Sequence, residues 1–212
     1  VNAQDAVPFL DYASVLVFAL TGALVASRAQ LDIMGFVFFA TFTGIGGGTL
    51  RDLLLGQDPV FWVGRPGLLV VTSLAAILVF FTAHLFESRY SLLVWLDALA
   101  LGVAVPAGVD VAMTAGAGPI VIVAMGVITG TFGGLARDTV ANELPLVLKQ
   151  NELYITATFG GAVTAVALIW LGVSGFWALI VCGITVFALR AGSLLFGWSV
   201  PTYRPRPPKT KG

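Results

Sequence analysis

The phrase Gly44-Ile45-Gly46-Gly47-Gly48-Thr49-Leu50-Arg51-Asp52 lies inside a stretch as apolar as a membrane span, and nearly the same phrase, Gly130-Thr131-Phe132-Gly133-Gly134-Leu135-Ala136-Arg137-Asp138, returns 86 residues later. The same offset places Asp11 on Asp97, Gly22 on Gly108, Thr43 on Thr129, Gly44 on Gly130 and Pro59 on Pro145. Chance glycine richness does not align residues of such different chemistry, so the chain contains an internal duplication. Flexible backbone and paired charges are both costly in hydrocarbon. Their repetition there marks a polar passage or binding site.

How the duplicated units sit follows from counting apolar segments. Of 212 residues 58% are hydrophobic and only 10% charged, against about 25% charged in soluble domains, which makes this an integral membrane protein. Uncharged runs of about 20 residues fall near 7–26, 33–55, 68–86, 91–111 and 119–140. From Leu153 to Leu189 no charged residue occurs, and a helix of that length would measure about 55 Å at 1.5 Å per residue. That overshoots a bilayer, so the run folds back, most simply at Gly172-Val173-Ser174-Gly175, giving spans near 153–171 and 176–197.

The expected fold is therefore all-α, with seven transmembrane helices. Each duplicated unit holds three spans, and an odd number forces the second copy into the bilayer upside down. The expected organisation is an N-terminal segment 1–6, a first three-helix repeat 7–86, an inverted three-helix repeat 91–171, a seventh helix 172–198 and a basic, proline-rich tail 199–212. In 3 + 3 inverted proteins the site lies at the repeat interface, built by broken helices from corresponding positions.

Basic residues set the orientation. Arg204, Arg206, Lys209 and Lys211 put the tail in the cytoplasm; with seven spans the N-terminus is outside, and Arg28, Arg89 and Lys149 fall on the inner side. Arg65 is the outer exception. Arg190, within the seventh span, is expected to snorkel toward the inner face.

Glycine in a helix costs about 1 kcal/mol relative to alanine, so Gly46, Gly47 and Gly48, and their counterparts Gly133 and Gly134, are expected to bend or unwind their helices. Thr43, Thr49, Thr129 and Thr131 place hydroxyls beside the breaks as candidate pore groups. Gly44/Gly48, Gly126/Gly130 and Gly130/Gly134 are also small-xxx-small pairs that let helices pack closely. Arg51-Asp52 and Arg137-Asp138 serve either to pin the bundle or to line a pore.

Neighbours on a helix point about 100° apart, so each arginine is expected to reach a carboxylate on another span: Asp11 and Asp97 by depth, or crosswise Asp138 and Asp52. Four carboxylates (Asp11, Asp52, Asp97, Asp138) against two guanidinium groups tilt such a path toward cations.

Other chemistries find little support. Eleven basic and eleven acidic residues cancel and no basic patch with interleaved aromatics appears, which argues against nucleic acid. Gly44-x-Gly46-x-x-Thr49 lacks the third glycine of a dinucleotide fingerprint, and no Walker lysine follows. The lone Cys182 excludes an internal disulfide, and the lone His84 offers no metal cluster. No catalytic constellation stands out, and neither a cofactor nor a metal is expected.

The paired Gly-Gly-x-x-Arg-Asp phrases (Gly47 to Asp52, Gly133 to Asp138), the downstream Pro59-Val60-Phe61-Trp62 and the seven-span inverted duplication together resemble the prokaryotic branch of the trimeric intracellular cation (TRIC) channels, over about residues 6–198. Related bacterial proteins are described as glycine transporters. The resemblance implies a homotrimer in the bacterial or archaeal inner membrane, surrounded by lipid, with one pore per protomer and potassium-preferring monovalent cation flux. It also implies that Gly44, Gly46 to Gly48, Gly130, Gly133 and Gly134 are the kink positions and that Arg51, Asp52, Arg137 and Asp138 are the pore-associated charges. The chain lacks the Lys-Glu-Val phrase of the animal branch, so that branch's lipid and calcium responses do not carry over. Secondary transport of a small zwitterion such as glycine is the alternative.

Overall fold

A computed structural model describes residues 3–86, 88–149 and 152–201, with side chains from Pro8 onward. Residues 1–2 and most of the basic tail, including Arg204, Arg206, Lys209 and Lys211, lie outside the described residues, and the first helix begins at Ala3, inside the expected N-terminal segment. Eight α-helices follow in order: α1 Ala3–Arg28, α2 Ile33–Leu55, α3 Phe61–Gly64, α4 Gly67–Thr82, α5 Arg89–Thr114, α6 Pro119–Val140, α7 Ile155–Trp170 and α8 Gly175–Phe196. No strand occurs among the described residues.

Local chemistry sets the boundaries. Asp32 caps α2 by accepting from the Gly35 N–H at 2.8 Å, satisfying one of the donors a helix start leaves free. Gly56, with φ of 64°, closes the same helix in the left-handed conformation that glycine adopts most readily. Pro119 opens α6 at a position where no N–H is needed. Gly172, with φ of 84°, turns the chain between α7 and α8, within the stretch where the sequence calls for a reversal.

Among the described residues six segments are long and apolar enough to cross a membrane: Pro8–Arg28, Ile33–Leu55, Gly67–Leu85, Arg89–Thr114, Pro119–Val140 and Gly175–Phe196. The expected span over 153–171 is a shorter apolar helix, α7, of 16 residues, about 24 Å at 1.5 Å per residue.

α1 and α5 pack against each other at the centre and are the most buried segments. Around them, α1 packs on α2 and α4 as α5 packs on α6 and α7; α2 meets α4 as α6 meets α7; and α2 and α6 meet each other. α8 stands outside this doubled scheme, against α5 and α7.

At one end of the molecule Arg28 pairs with Glu143 at 3.1 Å, Arg89 donates to the Ser27 carbonyl at 2.9 Å, and Lys149 bonds the Tyr90 hydroxyl. Three basic residues expected on one side are thus gathered there.

Close approach depends on missing side chains. A Cβ on Gly22 would lie 2.3 Å from the Phe39 carbonyl oxygen, and one on Gly108 would lie 2.6 Å from that of Met125. These duplicate positions seat α1 on α2 and α5 on α6. In lipid, where burying apolar surface gives no drive between helices, such contact is a main source of cohesion.

Candidate functional site at the crossing of the glycine helices

α2 and α6 cross at the two glycine phrases. A Cβ on Gly47 would lie 2.2 Å from the Thr129 carbonyl oxygen, and one on Gly133 would lie 2.6 Å from that of Thr43. Going up α2 from Thr43 to Gly47 therefore means going down α6 from Gly133 to Thr129, so the helices run in opposite senses there. In this register Arg137 comes level with Phe39, at most about 18 Å along the axis from Arg51. The two Arg-Asp pairs flank the crossing on opposite sides.

Both helices remain hydrogen-bonded α-helix through the glycines. The expected unwinding is absent, because the small size of Gly44, Gly47, Gly48, Gly130, Gly133 and Gly134 is used for contact and no backbone group has to seek a partner elsewhere. Gly46 is different: a Cβ there would meet nothing nearer than 3.7 Å. Gly48 admits the Phe61 ring and Gly134 the Tyr154 hydroxyl, whereas Gly44 and Gly130 lie against Val15 and Val105 respectively.

The threonine hydroxyls return to their own helices. Thr43 donates to the Phe39 carbonyl, Thr129 to Met125, Thr131 to Val127 and Thr49 to Ile45, at 2.6–2.8 Å. Thr49 also accepts from Trp62 Nε1 at 3.1 Å.

The charges form two buried clusters built alike. At the first, Arg51 Nε donates to Asp52 Oδ1 at 2.7 Å and its Nη1 to Asp11 Oδ1 at 3.2 Å. Asp52 Oδ2 in turn accepts the Phe61 N–H at 2.7 Å, fixing the elbow after α2. At the second, Arg137 Nε donates to Asp138 Oδ1 at 2.7 Å and Nη1 to Asp97 Oδ1 at 3.1 Å, while Asp138 Oδ2 accepts the Leu146 N–H at 2.9 Å.

Asp11 and Asp97 are thus the partners that depth indicated, and no crosswise pair forms. The expectation that each arginine would pass over its own neighbour was wrong. The guanidinium is a fork with donors on several edges, so Nε serves the adjacent aspartate while the tip reaches the next helix.

Five residues complete these clusters that the motifs do not announce. Arg65 donates through Nη2 to Asp11 Oδ2. Thr21 accepts from Arg137 Nη1 at 2.8 Å. Arg190 has no exposed surface: it pairs with Glu152 at 3.1 Å, lies 4.8 Å from the Tyr154 ring and sits within electrostatic range of Asp97. It does not snorkel, since Glu152 meets it inside the protein.

With Arg65, Arg190 and Glu152 counted, five carboxylates face four guanidinium groups, so the first cluster balances and the expected surplus of negative charge shrinks to one, at the second. Arg65 and Arg190 have no basic counterpart at the 86-residue offset, so a search for repeats passes over them. Their one signal was position: a basic residue on the outer side, and another inside an apolar span.

The two clusters differ in access. Asp11, Arg51, Asp52, Gln57, Arg65 and Thr114 help line a cavity of about 450 Å³, whereas Arg137 is wholly enclosed. A larger groove, about 830 Å³, is walled by apolar residues of α6 and α7 such as Ile120, Phe159 and Trp170 and offers nothing to an ion. No group of three or more potential metal ligands occurs among the described residues.

The family model described as "Glycine transporter" matches twice, over residues 8–84 and 94–170, segments related by the same 86-residue offset. The UPF0126 inner membrane protein YadS of Escherichia coli is 37% identical over 200 residues, covering 92% of this chain and 95% of YadS. The structure of a TRIC trimeric intracellular cation channel orthologue from Rhodobacter sphaeroides superposes with a TM-score of 0.88 at 44% identity, over 91% of this chain and 98% of that one. A prokaryotic TRIC channel crystallised in 0.5 M KCl gives 0.86 at 26% identity, over 93% of this chain and all of the other.

Proposed function

Since the chain belongs to the family whose model is described as "Glycine transporter" and to that of the UPF0126 membrane proteins, and is similar to prokaryotic TRIC channels of known structure, we propose that it is a cation channel of a prokaryotic inner membrane and not an enzyme. The observation that carries this is the 44% identity, at a TM-score of 0.88, to a TRIC cation channel orthologue. The finer proposal is a potassium-preferring pore in each protomer of a homotrimer. It passes by the α2/α6 crossing, between the Arg51 and Arg137 clusters.

In this proposal the chain spans the membrane seven times as a 3 + 3 inverted repeat with α8 appended, N-terminus outside and C-terminus in the cytoplasm. Two features support inversion: the opposed senses of α2 and α6 at their crossing and the doubled match of the family model. Gly47 and Gly133 hold the helices at contact distance, and Gly46, half-buried and with room for a Cβ, is the glycine placed to border a path. The arginines pin the bundle and set the field along that path. Selectivity then comes mainly from the local environment of the two clusters, because their summed charge favours cations by only one unit.

Purified protein in planar bilayers tests the proposal. Unitary potassium currents are expected. Silent bilayers together with glycine uptake into proteoliposomes would replace the channel by a transporter, the reading that the family model's description favours.

A further inference from the structure

Arg65 is the basic residue that the charge pattern leaves on the outer side and the duplication does not explain; the residue 86 positions on is Asn151. It stands in the turn between α3 and α4. One of its nitrogens, Nη2, holds Asp11 Oδ2, while Arg51 holds the other oxygen of the same carboxylate. The second terminal nitrogen, Nη1, is buried and has no partner. The side chain is 30% exposed and lines the 450 Å³ cavity. Arg51 is 1% exposed and shared between two carboxylates. Of the two arginines on Asp11, one is built into the protein and the other rests at the edge of the polar space.

We infer that Arg65 is the counter-charge that sets how readily cations enter this mouth of the path, a conductance- and selectivity-determining residue rather than a structural one; this rests on the channel reading above. With Arg65 in place, Asp11 and Asp52 are balanced by Arg51 and Arg65. Without its charge, the cavity wall carries one net negative charge where mobile ions are admitted. Such a charge concentrates cations and repels anions at a pore mouth. Arg190, the other arginine outside the repeat, is sealed in and cannot act on ions in this way.

The test uses Arg65→Cys in the full chain. The native thiol, Cys182, is buried, so reagents added to the bath reach only the introduced one. In planar bilayers at low salt, Arg65→Cys is expected to raise potassium conductance roughly two- to fivefold and to increase the preference for potassium over chloride, the scale of one unit charge acting through water over several Å. The gain shrinks at high salt. A methanethiosulfonate bearing a trimethylammonium group should return conductance toward wild type, and one bearing a sulfonate should leave it high or raise it. Both should act from one face only.

Equal effects of the two reagents, or none, with wild-type currents present would overturn the role of Arg65 alone. Absent wild-type currents would overturn the channel reading instead. Arg65→Gln and Arg65→Lys form a second pair free of the reagent: the glutamine variant is expected to show the rise and the lysine variant to match wild type, and equal currents in the two would also overturn the inference.

Discussion

Arg137→Met and Arg51→Met remove equivalent arginines from equivalent clusters, yet the two substitutions are expected to differ sharply in stability. Arg137 makes two charge-assisted bonds to Asp138 and Asp97 and a third bond to Thr21, with no exposed surface. Methionine there leaves enclosed Asp138 with only the Leu146 N–H and enclosed Asp97 without the cation bonded to it, and breaking a buried pair in this way costs about 3–5 kcal/mol. Arg51 also holds two carboxylates, but after its loss Asp11 keeps Arg65, Asp52 keeps the Phe61 N–H, and the cavity admits water. The cost there is about 1–3 kcal/mol, that of a weakened but solvated group.

A gap of about 2 kcal/mol corresponds to roughly 4–8 °C in a chain of this length. Thermal melts of purified protein in one detergent, followed by size-exclusion recovery, read the difference. Arg137→Met combined with Asp97→Asn should regain part of the loss, since one stranded charge is gone. Equal melting shifts for the two single variants, or no recovery in the double variant, would refute the account of unequal access.

Other perturbations separate packing from polarity. Gly47→Ala is expected to lower thermal stability markedly, because its Cβ would fall 2.2 Å from the Thr129 carbonyl oxygen, while Gly46→Ala, with its nearest neighbour at 3.7 Å, should melt near wild type; the same melting assay checks both. Thr21→Val removes the acceptor of an enclosed Arg137 N–H and is expected to cost about 1–3 kcal/mol, visible as a lower melting temperature. Cys182, buried in α8, should resist maleimide labelling in the folded protein and react once it is denatured, as mass spectrometry would show.

What the sequence revealed was whatever it states twice. Asp11 with Arg51 and Asp97 with Arg137 were legible because duplication and depth place each aspartate beside its arginine. The elbow contacts of Asp52 with Phe61 and Asp138 with Leu146 were not, since a backbone N–H leaves no trace in side-chain pattern. The partners of Arg65 and Arg190 were not legible for the opposite reason: each arginine occurs once, and its partner is fixed only when the chain folds.

The glycines were read through their cost to an isolated helix. In the folded protein, contact of α2 with α6 outweighs that cost, and the helices stay continuous. α7 came out shorter than hydropathy implied because Leu153 and Tyr154 stay out of the helix, the Tyr154 ring meeting Arg190 and the Leu153 N–H bonding Ser193.

Passage of cations is read most directly from the reversal potential of single wild-type openings under a KCl gradient. Discrete openings that reverse close to the potassium equilibrium potential are expected. Currents that reverse near zero or near the chloride potential, or a bilayer that stays silent with folded protein present, would contradict cation passage.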